Sequence, residues 1–214
     1  PLVTRGYFRQ DPVTKEYALS VKFLELGTMV QDQFDLTSIA RPHLKRLMLE
    51  TRESVNLAIQ LGNKVVYLDH MRSDYSMLRL FTRPGAQAPL YCTGVGKLFL
   101  SRMSEMELDT YLKTTERIAS TPYTLVDAQD IRRELIQIRN QAYSVDNEEM
   151  EEGVRCVAAI ILDHTGNPAG ALSISGAAMR ITPDRIETIG KMVKDCTFEI
   201  STQLGFRKET PREP

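Results

Sequence analysis

Residues 156–175 read CVAAIILDHTGNPAGALSIS. Two runs of mostly apolar residues flank Asp163-His164-Thr165-Gly166-Asn167-Pro168, a cluster of turn formers. The stretch therefore reads as a β-hairpin. A turn centred between Thr165 and Gly166 sets Cys156 opposite Ser175 and Ala158 opposite Ser173. Directly opposed residues share a face of the sheet. One face then carries Cys156, Ala158, Ala171, Ser173 and Ser175, all small and three of them weakly polar. The other carries Val157, Ala159, Ile161, Leu172 and Ile174, ordinary core material. A slip of one residue would exchange the faces. Small polar side chains on an inner face admit two readings: room for a small anion or carbonyl compound above the sheet, or close packing of a helix. The pattern alone leaves both open.

The same grammar extends outward. Val55, Leu57, Ile59 and Leu61 alternate with Asn56, Ala58 and Gln60, and Gly62-Asn63 turns the chain into KVVYLDH, a second hairpin. A strand is expected over Met77–Phe81, ended by Pro84-Gly85. Helices are expected over about 35–51, with Pro42 bending it or delaying its regular part, and after Thr93-Gly94. Further helices are expected from the Ser104/Glu107 capping box, over 127–141, and from Thr182-Pro183 to Gly205. Near the start, Gly6–Leu19 reads as a short hairpin around Asp11-Pro12, and Leu19, Phe23, Leu26 and Val30 as the stripe of a helix that follows it. FRKETPREP reads as a frayed tail. Strands arriving in hairpins between helices specify an α+β fold, an antiparallel sheet flanked by helices.

The 214 residues carry a formal charge of −1, which excludes a strongly basic nucleic-acid binder for the chain as a whole. No run of about 20 apolar residues spans a bilayer, and no signal peptide opens the sequence. The three cysteines are widely separated and lack histidines at ligand spacing, which speaks against a disulfide framework and a zinc site and for a reducing, cytoplasmic setting. The abrupt start, PLVTRGYF without an initiating Met, suggests a segment upstream.

The candidates for chemistry are few. Thr93-Gly94-Val95-Gly96-Lys97 enters a helix and would present backbone N–H groups to a carboxylate, or simply pack closely. It has neither a Walker nor a dinucleotide spacing. His43, His70 and His164 are scattered, and surface roles are expected for them. The acidic run Asp146–Gly153 reads as a solvated loop, with Asp146 able to reach the Cys156 face. Cys156 as a nucleophile would need a base and a lowered pKa, and no histidine is evidently near it.

Three stretches taken together, GYFRQDPVTKEYALSVKFLELG, RPGAQAPLYCTGVGKLFL, and DNEEMEEGVRCVAAIILDHTGNPAGALSIS followed by Arg180, resemble the IclR family of bacterial transcriptional regulators. PLYCTGVGK and DNEEMEEGVRC are most similar to the branch that responds to sugar acids such as 2-keto-3-deoxygluconate. The resemblance implies the wing of a winged helix-turn-helix over 1–18, a linker helix over 19–32, a GAF-like effector-binding domain over 33–205 and a tail over 206–214, with the helix-turn-helix proper upstream. It implies no enzyme, no cofactor and no metal. The partners it implies are operator DNA for the intact protein, a small organic acid effector (a 2-oxo acid or sugar acid), and a second copy in a homodimer or dimer of dimers, with no membrane contact. The effector site it implies uses the backbone at Gly94 and Val95, the acid Asp146, and Cys156, Ser173 and Ser175, with apolar walls at Met77 and Leu80. Val95 stands where many members have Ala. Arg5, Arg9 and Lys15 of the wing would touch DNA phosphates. The resemblance tips the polar face toward a ligand site. The alternatives are a GAF-type sensor for another ligand class and a hydrolase dependent on Cys156 or Asp146.

Overall fold

A computed structural model describes residues 2–33, 35–75 and 82–207. The chain divides into two compact units, Pro1–Ser38 and Ile39–Pro214.

In the first unit, β1 (Phe8–Gln10) and β2 (Tyr17–Leu19) form a hairpin, followed by helix α1 (Lys22–Gln33). Asp11 closes the turn, its carboxylate accepting from the amides of Val13 and Thr14 at 2.8 Å each. Leu19 pairs with Phe8 as the last residue of β2, so it is not part of the helix stripe. The helix starts later because the Ser20 hydroxyl accepts from the Lys22 amide at 3.2 Å. Tyr7 and Phe8 pack edge-on against Phe23, with ring centroids 5.8 and 5.6 Å away.

The second unit is a six-stranded, wholly antiparallel sheet in the order β5-β4-β3-β8-β7-β6. The strands are β3 (Ser54–Leu61), β4 (Lys64–Met71), β5 (Gln87–Pro89), β6 (Ser144–Asn147), β7 (Val154–Leu162) and β8 (Pro168–Ala177). The β7–β8 register is the one expected: Cys156 faces Ser175, Val157 faces Ile174 and Ala158 faces Ser173. The turn is set by the Asp163 carboxylate, which accepts from the amides of Thr165 and Asn167, and by Gly166 at φ +83°, where a side chain would be strained. The β3–β4 hairpin turns at Gly62 as expected, and a register shift follows Leu57.

Helix α2 (Asp35–Thr51) stays helical through Pro42, burying Ala40, Leu44 and Leu47. It lies beside α6 (Pro183–Gln203), with Arg46 and His43 both reaching the Glu199 carboxylate. Helix α6 packs on β7 and β8 across the aliphatic face of the sheet. The other face is covered by α3 (Gly94–Arg102), itself overlaid by α5 (Ala128–Gln141). Between them α4 (Glu105–Thr114) opens on the expected capping box: Ser104 Oγ accepts from the Glu107 amide and the Glu107 carboxylate accepts from the Ser104 amide. Sandwiched between sheet and helix, α3 buries every residue from Gly94 to Ser101. The α+β expectation holds in both composition and pairing.

Candidate functional site

The face beneath the start of α3 is polar at its centre and small throughout. Strand pairing sets Asn56 beside Ser173, Ser173 beside Ala158, Ser175 beside Cys156, and Cys156 beside Asp146. Four strands of the sheet therefore contribute to one patch. Asn56, Ser173, Ser175 and Asp146 are buried, whereas Cys156, in mid-strand among them, keeps accessible surface.

Polar contacts run across the patch. The Asn56 Nδ2 group lies 3.1 Å from Ser173 Oγ and 3.0 Å from Ser175 Oγ. Its Oδ1 lies 2.7 Å from His70 Nδ1, which is also 3.2 Å from the Thr82 hydroxyl. On the far side, the Asp146 carboxylate accepts from the Glu149 amide at 2.8 Å and from the Met150 amide at 3.4 Å. Burial pushes the Asp146 carboxyl up to about 7, against the pull of the nearby Lys97 ammonium. Burial, reinforced by Asp146, also pushes the Cys156 thiol well up. A thiol held neutral is neither a nucleophile nor a metal ligand. It is a compact, weakly polar wall.

Helix α3 supplies the roof. Thr93 caps it, its hydroxyl accepting from the Gly96 amide at 3.1 Å, and the Ser144 hydroxyl donates to the Gly94 carbonyl at 2.6 Å. The Gly94 and Val95 amides, orphan donors of the first turn, meet no acceptor among the described residues. The two glycines differ in packing: Gly94 has room for a side chain and Gly96 has none. A Cβ at Gly94 would lie 3.5 Å from Ala158 Cβ, and one at Gly96 would strike the Leu90 carbonyl oxygen at 2.3 Å. Both readings of the small-residue face thus apply, in different places. Ala158 and Ser144 receive the helix; Cys156 and Ser175 lie farther along the same face, next to Asp146.

Of the residues expected at the site, Gly94, Val95, Asp146, Cys156, Ser173 and Ser175 come together. Met77 and Leu80, with the strand expected over 77–81, lie outside the described residues. Asn56 and His70 are additions, and His70 is no surface histidine: burial depresses its pKa. The acidic run is not simply a solvated loop either. Glu149 is buried and pairs with Lys97, itself fully buried, whose ammonium also reaches Glu134 at 3.0 Å. In the first unit Arg5, Arg9 and Lys15 are exposed. Among the described residues no group of three or more His, Cys, Asp and Glu is placed to hold a metal.

The family model for the bacterial transcriptional regulator IclR C-terminal domain matches residues 28–202. The chain belongs to the IclR family. Over 206 residues it is 39% identical to the HTH-type transcriptional repressor AllR of Escherichia coli strain K12, covering 96% of this chain and 76% of that protein. AllR of Salmonella typhimurium strain LT2 is 36% identical, with 96% and 75% covered. Among solved structures, the Thermotoga maritima IclR matches with a TM-score of 0.83 at 36% identity, covering 96% of this chain and 82% of that one. The C-terminal domain of the E. coli regulator KdgR matches with a TM-score of 0.73 at 30% identity, covering 81% and 100%. The chain thus contains the C-terminal, effector-type domain of an IclR-type transcriptional regulator; members of this family bind operator DNA and are not enzymes. No helix among the described residues is long and apolar enough to cross a membrane.

Proposed function

We propose that the second unit senses a small organic acid, a 2-oxo acid or a sugar acid, and that its occupancy controls operator binding by the intact regulator. The observation that carries this is the convergence of Cys156, Ser173, Ser175 and Asp146 on one face, with Cys156 still accessible and the Gly94 and Val95 amides at the adjoining helix start. Those amides suit a carboxylate. The hydroxyls of Ser173 and Ser175 suit oxo or hydroxyl oxygens. Cys156 and Ala158 set the size limit and favour a compact ligand over a purine.

In the first unit, residues 1–18 act as the wing of a winged helix-turn-helix, Arg5, Arg9 and Lys15 touching phosphates. Residues 19–32 act as the linker through which a homodimer, or a dimer of dimers, transmits the signal in the cytoplasm. The exposed apolar side chains of Leu24 and Met29 on α1 support a role in pairing. An effector shifts operator affinity only through unequal affinity for two arrangements of the dimer.

The test is a calorimetric titration with pyruvate, glyoxylate and 2-keto-3-deoxygluconate. At least one should bind the wild type and lose at least tenfold in affinity, about 1.4 kcal/mol, in the Ser173→Ala/Ser175→Ala double variant. Binding that survives this double change sinks the assignment.

A further inference from the structure

Neither Asn56 nor His70 belongs to the group that meets the ligand, yet together they fix what that group can recognise. Asn56 is fully buried and its amide presents different atoms to its two sides. One side holds two oxygens, Ser173 Oγ and Ser175 Oγ, at 3.1 and 3.0 Å. The other holds one nitrogen, His70 Nδ1, at 2.7 Å. An amide has two N–H donors and one carbonyl oxygen. With Nδ2 toward the serines, each N–H meets an oxygen and Oδ1 accepts from a protonated His70 Nδ1. Turned over, the amide would aim two N–H groups at a side where one ring nitrogen stands, leaving a buried donor unpaired, which is the costly outcome.

We infer that Asn56, oriented by the Nδ1–H tautomer of His70, is a positioning residue that turns Ser173 and Ser175 into hydrogen-bond donors toward the ligand. Each serine oxygen already accepts from Asn56, so each hydroxyl hydrogen turns away from it: that of Ser173 toward the site, and that of Ser175 toward the weakly accepting Cys156 sulfur or, in its place, a stronger ligand oxygen. Such a pair rewards ligand oxygens that only accept. The ligand class is therefore a 2-oxo acid in preference to the matching 2-hydroxy acid. Thr82, 3.2 Å from the same ring nitrogen, accepts a share of that hydrogen and helps hold the tautomer.

The inference rests on the site reading above, and its test has two arms that separate them. Nitrogen NMR of the imidazoles of the ligand-free protein, with His70 assigned by its loss in His70→Phe, should show Nδ1 protonated and Nε2 bare. The opposite tautomer overturns the inference whatever binds. The second arm is the affinity ratio of pyruvate to lactate, by calorimetry. The wild type should favour pyruvate by about tenfold, one hydrogen bond's worth. His70→Gln, which can still donate to Asn56, should keep that ratio within threefold. His70→Phe, which fills the space but cannot donate, should bring it near one. A residue that merely fills volume would give the reverse order, and that result, or an unchanged ratio in His70→Phe, overturns the inference. If the wild type binds neither pyruvate nor lactate, the 2-oxo acid reading of the site falls for these probes, and the imidazole spectrum alone decides the orientation of Asn56.

Discussion

Lys97 and Glu149 form a fully buried ion pair that joins the second turn of α3 to the loop between β6 and β7. The two sides of the candidate site, the helix start at Gly94 and the acid Asp146, are thereby tied together. Glu134 of α5 adds a second carboxylate to the same ammonium.

Removing Lys97 strands these carboxylates. Lys97→Met should destabilise the domain by about 3–5 kcal/mol, since breaking a buried pair leaves an uncompensated charge. Lys97→Met/Glu149→Gln should recover part of that loss. Urea denaturation of the four species in the cycle checks it; a double variant no more stable than Lys97→Met refutes the pairing.

Gly94 and Gly96 should behave oppositely. A methyl at Gly94 meets only ordinary contacts with Ala158 and Ser144, and alanine favours a helix, so Gly94→Ala should stay within about 1 kcal/mol of wild type. A methyl at Gly96 strikes the backbone of Leu90, and Gly96→Ala should lose about 2–4 kcal/mol. Thermal unfolding of both variants decides whether the two glycines differ.

How much of this was legible in the sequence differs from strand to strand. The β7–β8 register followed from period-two alternation and a turn of fixed geometry, and it placed Cys156 against Ser175 correctly. Asn56 sat in an equally clean alternation, but alternation only sorts residues by face. It does not say that the second face is also covered, and here α3 covers it. Lys97 hid for a related reason. It stands in a helix whose polar residues would ordinarily face water, and nothing local announces that α5 closes over it. Carboxylates 37 and 52 positions away make its burial tolerable. His70 likewise gained its role from a partner on the next strand.

Asp146 makes stability depend on pH. Its carboxyl is raised from 3.8 to about 7 in the folded chain, chiefly by burial. Between those values the folded state holds a proton that the unfolded state has released, so stability falls as pH rises through this window. Asp146→Asn keeps an oxygen for the amides of Glu149 and Met150 and does not titrate. Relative to wild type, the variant should gain on the order of 4 kcal/mol between about pH 4 and pH 8. Chemical denaturation across that range is the measurement, and a difference that stays flat contradicts the assignment.

Arg180 should matter through Glu53. The Glu53 carboxylate is buried and raised by that burial, with the Arg180 guanidinium opposing the shift. Arg180→Met should cost about 3 kcal/mol near pH 8. It should cost less near pH 5, where the orphaned carboxyl can protonate. Equal losses at the two pH values would show that the ion pair is not the cause.

The contact between Asn56 and Ser173 spans 117 residues, and β8 lies at the centre of the sheet beside β3. The proposed site therefore cannot form on a nascent chain before β8, residues Pro168–Ala177, has left the ribosome. No proteolytic fragment that ends before β8 could respond to the signal either. Recognition at the proposed site would be all or nothing with respect to folding, because an effector could meet only a chain already folded through β8.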